Sequence, residues 1–148
     1  MRVHAPVLVS FGLLSITADA AADVIQFDCV GKESIYTTRF EEHQENLTER
    51  PTTVRIELDR TQMRLSVSGT TAADGEGILK ITPASFDASF ERARVIYEVP
   101  FRFVQVHLPQ NRNDLSIIAT THLSLSEPEA EGRLLFSGTC RPPKLKSK

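Results

Sequence analysis

Apolar and polar side chains alternate with a period of two through most of the chain. Ile25, Phe27 and Cys29 alternate with Gln26 and Asp28; Val54, Ile56 and Leu58 with Thr53, Arg55 and Glu57; Met63, Leu65 and Val67 with Arg64, Ser66 and Ser68. Ile117, Ala119, Thr121, Leu123 and Leu125 alternate with Ile118, Thr120, His122 and Ser124. Each set places apolar side chains on one face of a strand and polar ones on the other. Further strands are predicted over 33–40, 77–82, 86–92, 94–99, 101–108 and 133–140, about 8–10 short strands in all. The separators carry turn chemistry: Asp59-Arg60-Thr61, Asp74-Gly75, Thr82-Pro83-Ala84 and Pro109-Gln110-Asn111. Pro100 predicts an edge, a bulge or a corner between 94–99 and 101–108. Only 41–50 escapes the pattern; with Leu47 its single apolar residue, it reads as one or two helical turns or a long polar loop.

The first 22 residues read differently. Arg2 gives a positive start, Val7 through Ile16 is an apolar stretch too short for a bilayer of roughly 30 Å, and Ala18-Asp19-Ala20 or Ala20-Ala21-Ala22 offers a small-residue cleavage pattern. The expected organisation is a secretory signal over 1–22, a single β domain over 23–140 and a basic flexible tail over 141–148. No later segment has the length and hydropathy of a transmembrane segment. The expected location is periplasmic or secreted.

Export changes the meaning of the cysteines. Two are too few for a disulfide-dense fold or a four-cysteine metal site, but two lone cysteines in an oxidising compartment pair. A Cys29–Cys140 bond sets the start of the first strand beside the end of the last, as antiparallel neighbours. That closes the sheet and removes its edges. The fold class is therefore all-β: an antiparallel, closed or nearly closed barrel of the up-and-down, lipocalin-like kind, with Gly31 the place for a bulge in a long first strand. A two-sheet sandwich bridged by the same cystine is the alternative.

Composition narrows function mainly by exclusion. Seventeen Lys+Arg against 19 Asp+Glu, a net charge of −2 and no tryptophan disfavour nucleic acid as a partner. Arg92, Arg94, Arg102 and Arg112 read as an outward polar face. Val67-Ser68-Gly69 lacks the first glycine of a nucleophile elbow, there is no phosphate-cradling glycine loop, and paired cysteines supply no thiol nucleophile. Neither His43 among Glu41, Glu42 and Glu45, nor Glu127, Glu129 and Glu131, has the spacing of a metal site. The chain reads as a non-enzyme without cofactor or metal. Gln105 and His107 share a predicted strand face with Phe101 and Phe103, and are the candidate polar groups of an otherwise apolar pocket.

Phe27-x-Cys29-x-Gly31, Ile56-x-Leu58-Asp59 and Ser137-Gly138-Thr139-Cys140 resemble the layout of small exported bacterial β-barrel proteins. A related shape is that of the periplasmic inhibitors of C-type lysozyme, which also carry an early strand cysteine, a late cysteine and a Ser-Gly loop. Here the matching pair is Ser68-Gly69, which that resemblance makes a candidate inhibitory loop. The chain departs from the family at Thr70 and Thr71, where an aromatic residue follows the glycine, and in lacking tryptophan. The functional expectation is a non-catalytic binding module for a small ligand or an envelope protein; the alternative is a protein inhibitor of a cell-wall hydrolase. Ligand identity and oligomeric state are not readable from the sequence.

Overall fold

The computed structural model describes residues 24–121 and 130–145. It holds nine strands: β1 (Val24–Arg39), β2 (Gln44–Asp59), β3 (Arg64–Ser68), β4 (Gly75–Ile81), β5 (Ser85–Ile96), β6 (Val99–Pro109), β7 (Leu115–Thr120), β8 (Ala130–Cys140) and β9 (Lys144–Leu145). Among the described residues there is no helix. Consecutive strands from β1 to β8 pair antiparallel, and β8 returns to β1, so the meander closes into an eight-stranded barrel. The sandwich is excluded by that closure.

β1 is the closing element. It pairs with β2 along its whole length, and from Cys29 to Arg39 its other edge pairs with β8. Cys29 and Cys140 are direct partners in that register and are joined by a disulfide, with Cα atoms 3.9 Å apart. Lys144 and Leu145, expected in a frayed tail, instead extend the wall as β9 by pairing with Gln26 and Ile25.

Three expectations are corrected. The polar segment 41–50 is neither helix nor long loop: four residues turn the chain and Gln44 already begins β2. Its period-two pattern is polar on both faces, with Asn46, Thr48 and Arg50 opposite Thr37, Ile35 and Glu33 of β1. Cross-strand pairing holds it without an apolar face of its own. The bulge is not at Gly31, where both registers run uninterrupted, but in β5 between Glu91 and Arg94. The predicted strands 86–92 and 94–99 are the single strand β5 bent at that bulge, and the hairpin to β6 turns at Tyr97-Glu98, ahead of Pro100. Residues 1–22, read above as a secretory signal, and His122, Glu127 and Glu129 lie outside the described residues.

Apolar side chains at alternate strand positions form the core inside the barrel. Phe27, Val54, Ile56, Leu58, Leu65, Leu79, Leu108, Leu115, Ile117, Leu134 and Phe136 are buried at alternate positions of their strands. At the end of the barrel where β1 turns into β2, the β5–β6 hairpin folds inward. Val99 and Phe101 are buried there. A Cβ on Gly132 would lie 2.7 Å from the Phe101 ring, so only glycine leaves that ring room. Arg39 ties the hairpin tip to β1 through Glu98 and also pairs with Glu42 at 2.9 Å. β3 and β4 are short, and the connection between them folds in to bury Ala72 and Ala73 completely.

Candidate functional site

Alternation along β6 decides where Gln105 and His107 point. Phe101 was expected on their face; across the bulge the alternation of β6 changes phase, so Phe101 turns inward while Val104, Val106 and Leu108 take the inner positions. Gln105 and His107 project from the outer surface, and the imidazole is 55% exposed. They line an open concavity of about 360 Å³ over β4–β7 rather than an apolar cavity inside the barrel.

Strand register assembles this concavity from two rows. One runs Lys80, Asp87, His107, Ser116 across β4, β5, β6 and β7. Two residues along the strands, the second runs Ile78, Ser89, Gln105, Ile118. Ala88 and Val106 complete the lining. Ile78 is 80% exposed, unusual for so large an apolar side chain within a strand.

A hydrogen-bonded chain fixes the first row. The Asp87 carboxylate accepts from His107 Nδ1 at 2.6 Å on Oδ1 and from Ser85 Oγ at 2.6 Å on Oδ2. Ser85 Oγ lies 2.9 Å from Thr82 Oγ1, and the Ser85 amide donates to that hydroxyl at 2.9 Å. The β4–β5 turn and the imidazole are thereby held by one carboxylate. A carboxylate only accepts, so Nδ1 carries hydrogen and Nε2 is left for the concavity. Partial burial works against ionising Asp87, but the hydrogen bonds from Ser85 and His107, with the charges of His107 and Lys80, outweigh it and hold its carboxyl below the usual value.

The second candidate, Ser68-Gly69, lies elsewhere on the surface, where β3 ends. Both residues are exposed and the loop behind them is tightly held. Gly69 sits at φ 103°, and a Cβ there would come within 2.5 Å of the Thr53 carbonyl oxygen. The Thr70 amide and hydroxyl both donate to Asp74 Oδ1 at 2.7 Å, and the Ala73 amide donates to Thr70 Oγ1 at 2.8 Å. Glu33, fully buried in β1, accepts from Arg50 Nε at 2.8 Å and from the Thr71 amide and hydroxyl at 2.7 Å each. Asp74-Gly75, which reads as a tight-turn pair, closes this longer loop instead.

The structure thus joins Gln105 with His107 and keeps Ser68-Gly69 apart from them. Arg112 lies beyond the far end of β6 from Arg102, so the four arginines do not share one strand face. His43 occupies the β1–β2 turn at φ 50°. Among the described residues no group of three or more His, Cys, Asp or Glu side chains gathers as a metal site. The sequence reading missed Ile78, Lys80, Asp87, Ser116 and Ile118. Each occupies an outward or partly exposed strand position, but only the register of four strands brings them together. No protein-family model matches the chain, and no curated protein or solved structure is significantly similar to it.

Proposed function

We propose that this protein is a non-catalytic binding module of an oxidising compartment, periplasmic or extracellular, and that its ligand site is the outer concavity over β4–β7. One observation carries the reading: on the outer surface the Thr82–Ser85–Asp87–His107 chain fixes an exposed imidazole beside two exposed or half-exposed isoleucines. Fixed polar groups among apolar ones are the usual make-up of a ligand site. The Cys29–Cys140 disulfide supports the compartment, since such bonds persist where thiols are not kept reduced. The signal-like residues 1–22 point the same way, and N-terminal sequencing of the protein recovered outside the cytoplasm tests that part.

The binding claim is tested by titrating the oxidised, isotope-labelled protein with a desalted small-molecule extract of the producing culture. The expected response is a saturable set of NMR shifts confined to Lys80, Gln105, His107 and Ser116, lost when Ser116→Arg fills the concavity. An undiminished response in that variant sinks the assignment.

A second reading, inhibition of a cell-wall hydrolase, is favoured by the exposed Ser68-Gly69 on a loop pinned by Glu33 and Asp74. It expects a saturable complex with a C-type lysozyme that Ser68→Trp weakens. Full lysozyme activity in the presence of excess protein removes it.

A further inference from the structure

We infer that the concavity over β4–β7 receives a carboxylate carried on an apolar body, with the anionic head at Lys80 and His107 and the apolar body between Ile78 and Ile118. This rests on the concavity being the binding site and adds the chemistry of what it binds.

Among the described residues Asp87 is the only acidic one in the lining, and each of its oxygens already holds a hydrogen bond, one from His107 and one from Ser85. What remains facing the concavity can donate to an anion: the Lys80 ammonium, a group that only donates, with the Ser89 and Ser116 hydroxyls and the Gln105 side-chain amide, which donate or accept. Lys80 lies across from Asp87 in register, and its charge helps hold Asp87 ionised. A neutral His107 offers Nε2 as an acceptor; the imidazolium offers it as a donor. With Lys80 and Asp87 cancelling, the site is neutral with imidazole and carries one positive charge with imidazolium. A monoanion fits that balance.

The apolar half comes from the second row. Ile78 and Ile118 stand at its two ends, with Ser89 and Gln105 between them, one strand repeat from the Lys80–Ser116 row. Head and body are therefore recognised side by side. A volume of about 360 Å³ lies at the small end of the roughly 300–1,000 Å³ of small-molecule sites, suiting a short chain. A short fatty acid and a peptide ending in an apolar residue share this chemistry.

The test is an NMR titration of the oxidised protein with octanoate, octanol, octylammonium and N-acetyl-leucyl-leucine. Octanoate is expected to shift the Ile78 and Ile118 methyls and the Gln105 side-chain amide saturably, and octanol and octylammonium to bind at least about tenfold more weakly, the scale of one charge-assisted hydrogen bond. Lys80→Gln and His107→Gln should each weaken octanoate by a similar factor, while Lys80→Arg should retain it. Lys80 is exposed, so these variants keep the fold, which the dispersion of the remaining resonances verifies. Tighter binding of the dipeptide than of octanoate assigns the peptide source, and the reverse assigns the fatty acid. Equal binding of octanol overturns the carboxylate while leaving the concavity a binding site; preference for octylammonium overturns the sign of the charge. Failure of every probe to shift these residues overturns the inference, and the Ser116→Arg comparison then decides the parent reading separately.

Discussion

Gly31 of β1 and Gly138 of β8 face each other directly across the seam that closes the barrel, two residues from the partnered Cys29 and Cys140. The C-x-G at the start of the domain and the G-x-C at its end are therefore two halves of one cross-strand arrangement. A Cβ on Gly31 would lie 2.6 Å from the Gly138 Cα and nearer still to the Ser137 carbonyl oxygen; one on Gly138 would lie 2.6 Å from the Val30 oxygen. The obstacles are backbone atoms, which cannot swing aside as a flexible side chain can. Gly31→Ala and Gly138→Ala should each destabilise by about 2–3 kcal/mol, the upper part of the range for overpacking a filled site. Urea denaturation of the oxidised variants measures this, and a loss within error of zero at both positions contradicts the close approach.

The cystine beside those glycines joins residues 111 apart in sequence. In the chain-entropy account, restricting so long a loop in the unfolded chain contributes about 4–5 kcal/mol. The paired Cys29→Ala/Cys140→Ala variant should lower the denaturation midpoint accordingly, and reductant should shift the wild type but not the variant. If reductant leaves the wild-type midpoint unchanged, the bond contributes nothing to stability.

Glu33 is the one fully buried acidic side chain among the described residues, and it ties the β3–β4 loop to β1. Glu33→Leu removes the acceptor of the Thr71 amide. Arg50, half-exposed, can turn to water, so the cost is mainly that of the stranded donor and the lost loop contacts, about 2–3 kcal/mol. Amide exchange at Thr71 should quicken more than at Val67, within β3. Equal acceleration at both sites indicates global destabilisation without a local clamp.

Alternation and the two cysteines made the class of fold and its closure legible, because both express requirements the whole sheet must meet: one buried face and no free edge. The strand 44–50 was not legible, because its order comes from the β1 edge and not from apolar side chains of its own. Glu33 occupies an inward position where alternation asks for an apolar residue, and only its three donors, from residues 17 and 38 positions away, explain it. At the candidate site, Gln105 and His107 were readable as neighbours on one strand. Their company was not, because Ile78, Lys80, Asp87 and Ser116 meet them only through register, and the bulge beside which Phe101 leaves their face carries no glycine or proline signal in 91–94.

Asp87 gives a pH dependence of definite sign. Its folded carboxyl titrates below the ordinary range although burial opposes this, because Ser85, His107 and Lys80 favour the charged form. A group depressed on folding contributes stability above its unfolded value, near pH 4 for an aspartate, and that contribution is lost as pH falls through the folded value. Wild type should therefore exceed Asp87→Asn in urea midpoint at neutral pH, with the difference shrinking in the acid range below about pH 4. A difference that stays constant across that range shows that Asp87 acts through shape alone.

The turn at Tyr97-Glu98 carries backbone strain that substitution should relieve. Ile96 and Val99 pair directly, leaving a two-residue hairpin connection with φ of 49° at Tyr97 and 64° at Glu98. Both central positions of such a turn favour Asn-Gly, because side-chain-bearing residues at positive φ cost of order 1 kcal/mol each. Tyr97 is 54% exposed, so replacing it removes little buried area. Glu98→Gly gives up the link to Arg39, but that pair is solvent-exposed at Glu98 and worth about 0–1 kcal/mol, and Arg39 keeps Glu42. The double variant Tyr97→Asn/Glu98→Gly should therefore be more stable by about 1 kcal/mol, a rise of roughly 4 °C in Tm for a domain of this size. Thermal unfolding at low and high salt separates the two contributions. The gain should be larger in high salt, where the wild-type ion pair is already screened. A fall in Tm at both salt concentrations means instead that Tyr97 and Glu98 hold the hairpin over the barrel end by contacts stronger than the strain they impose.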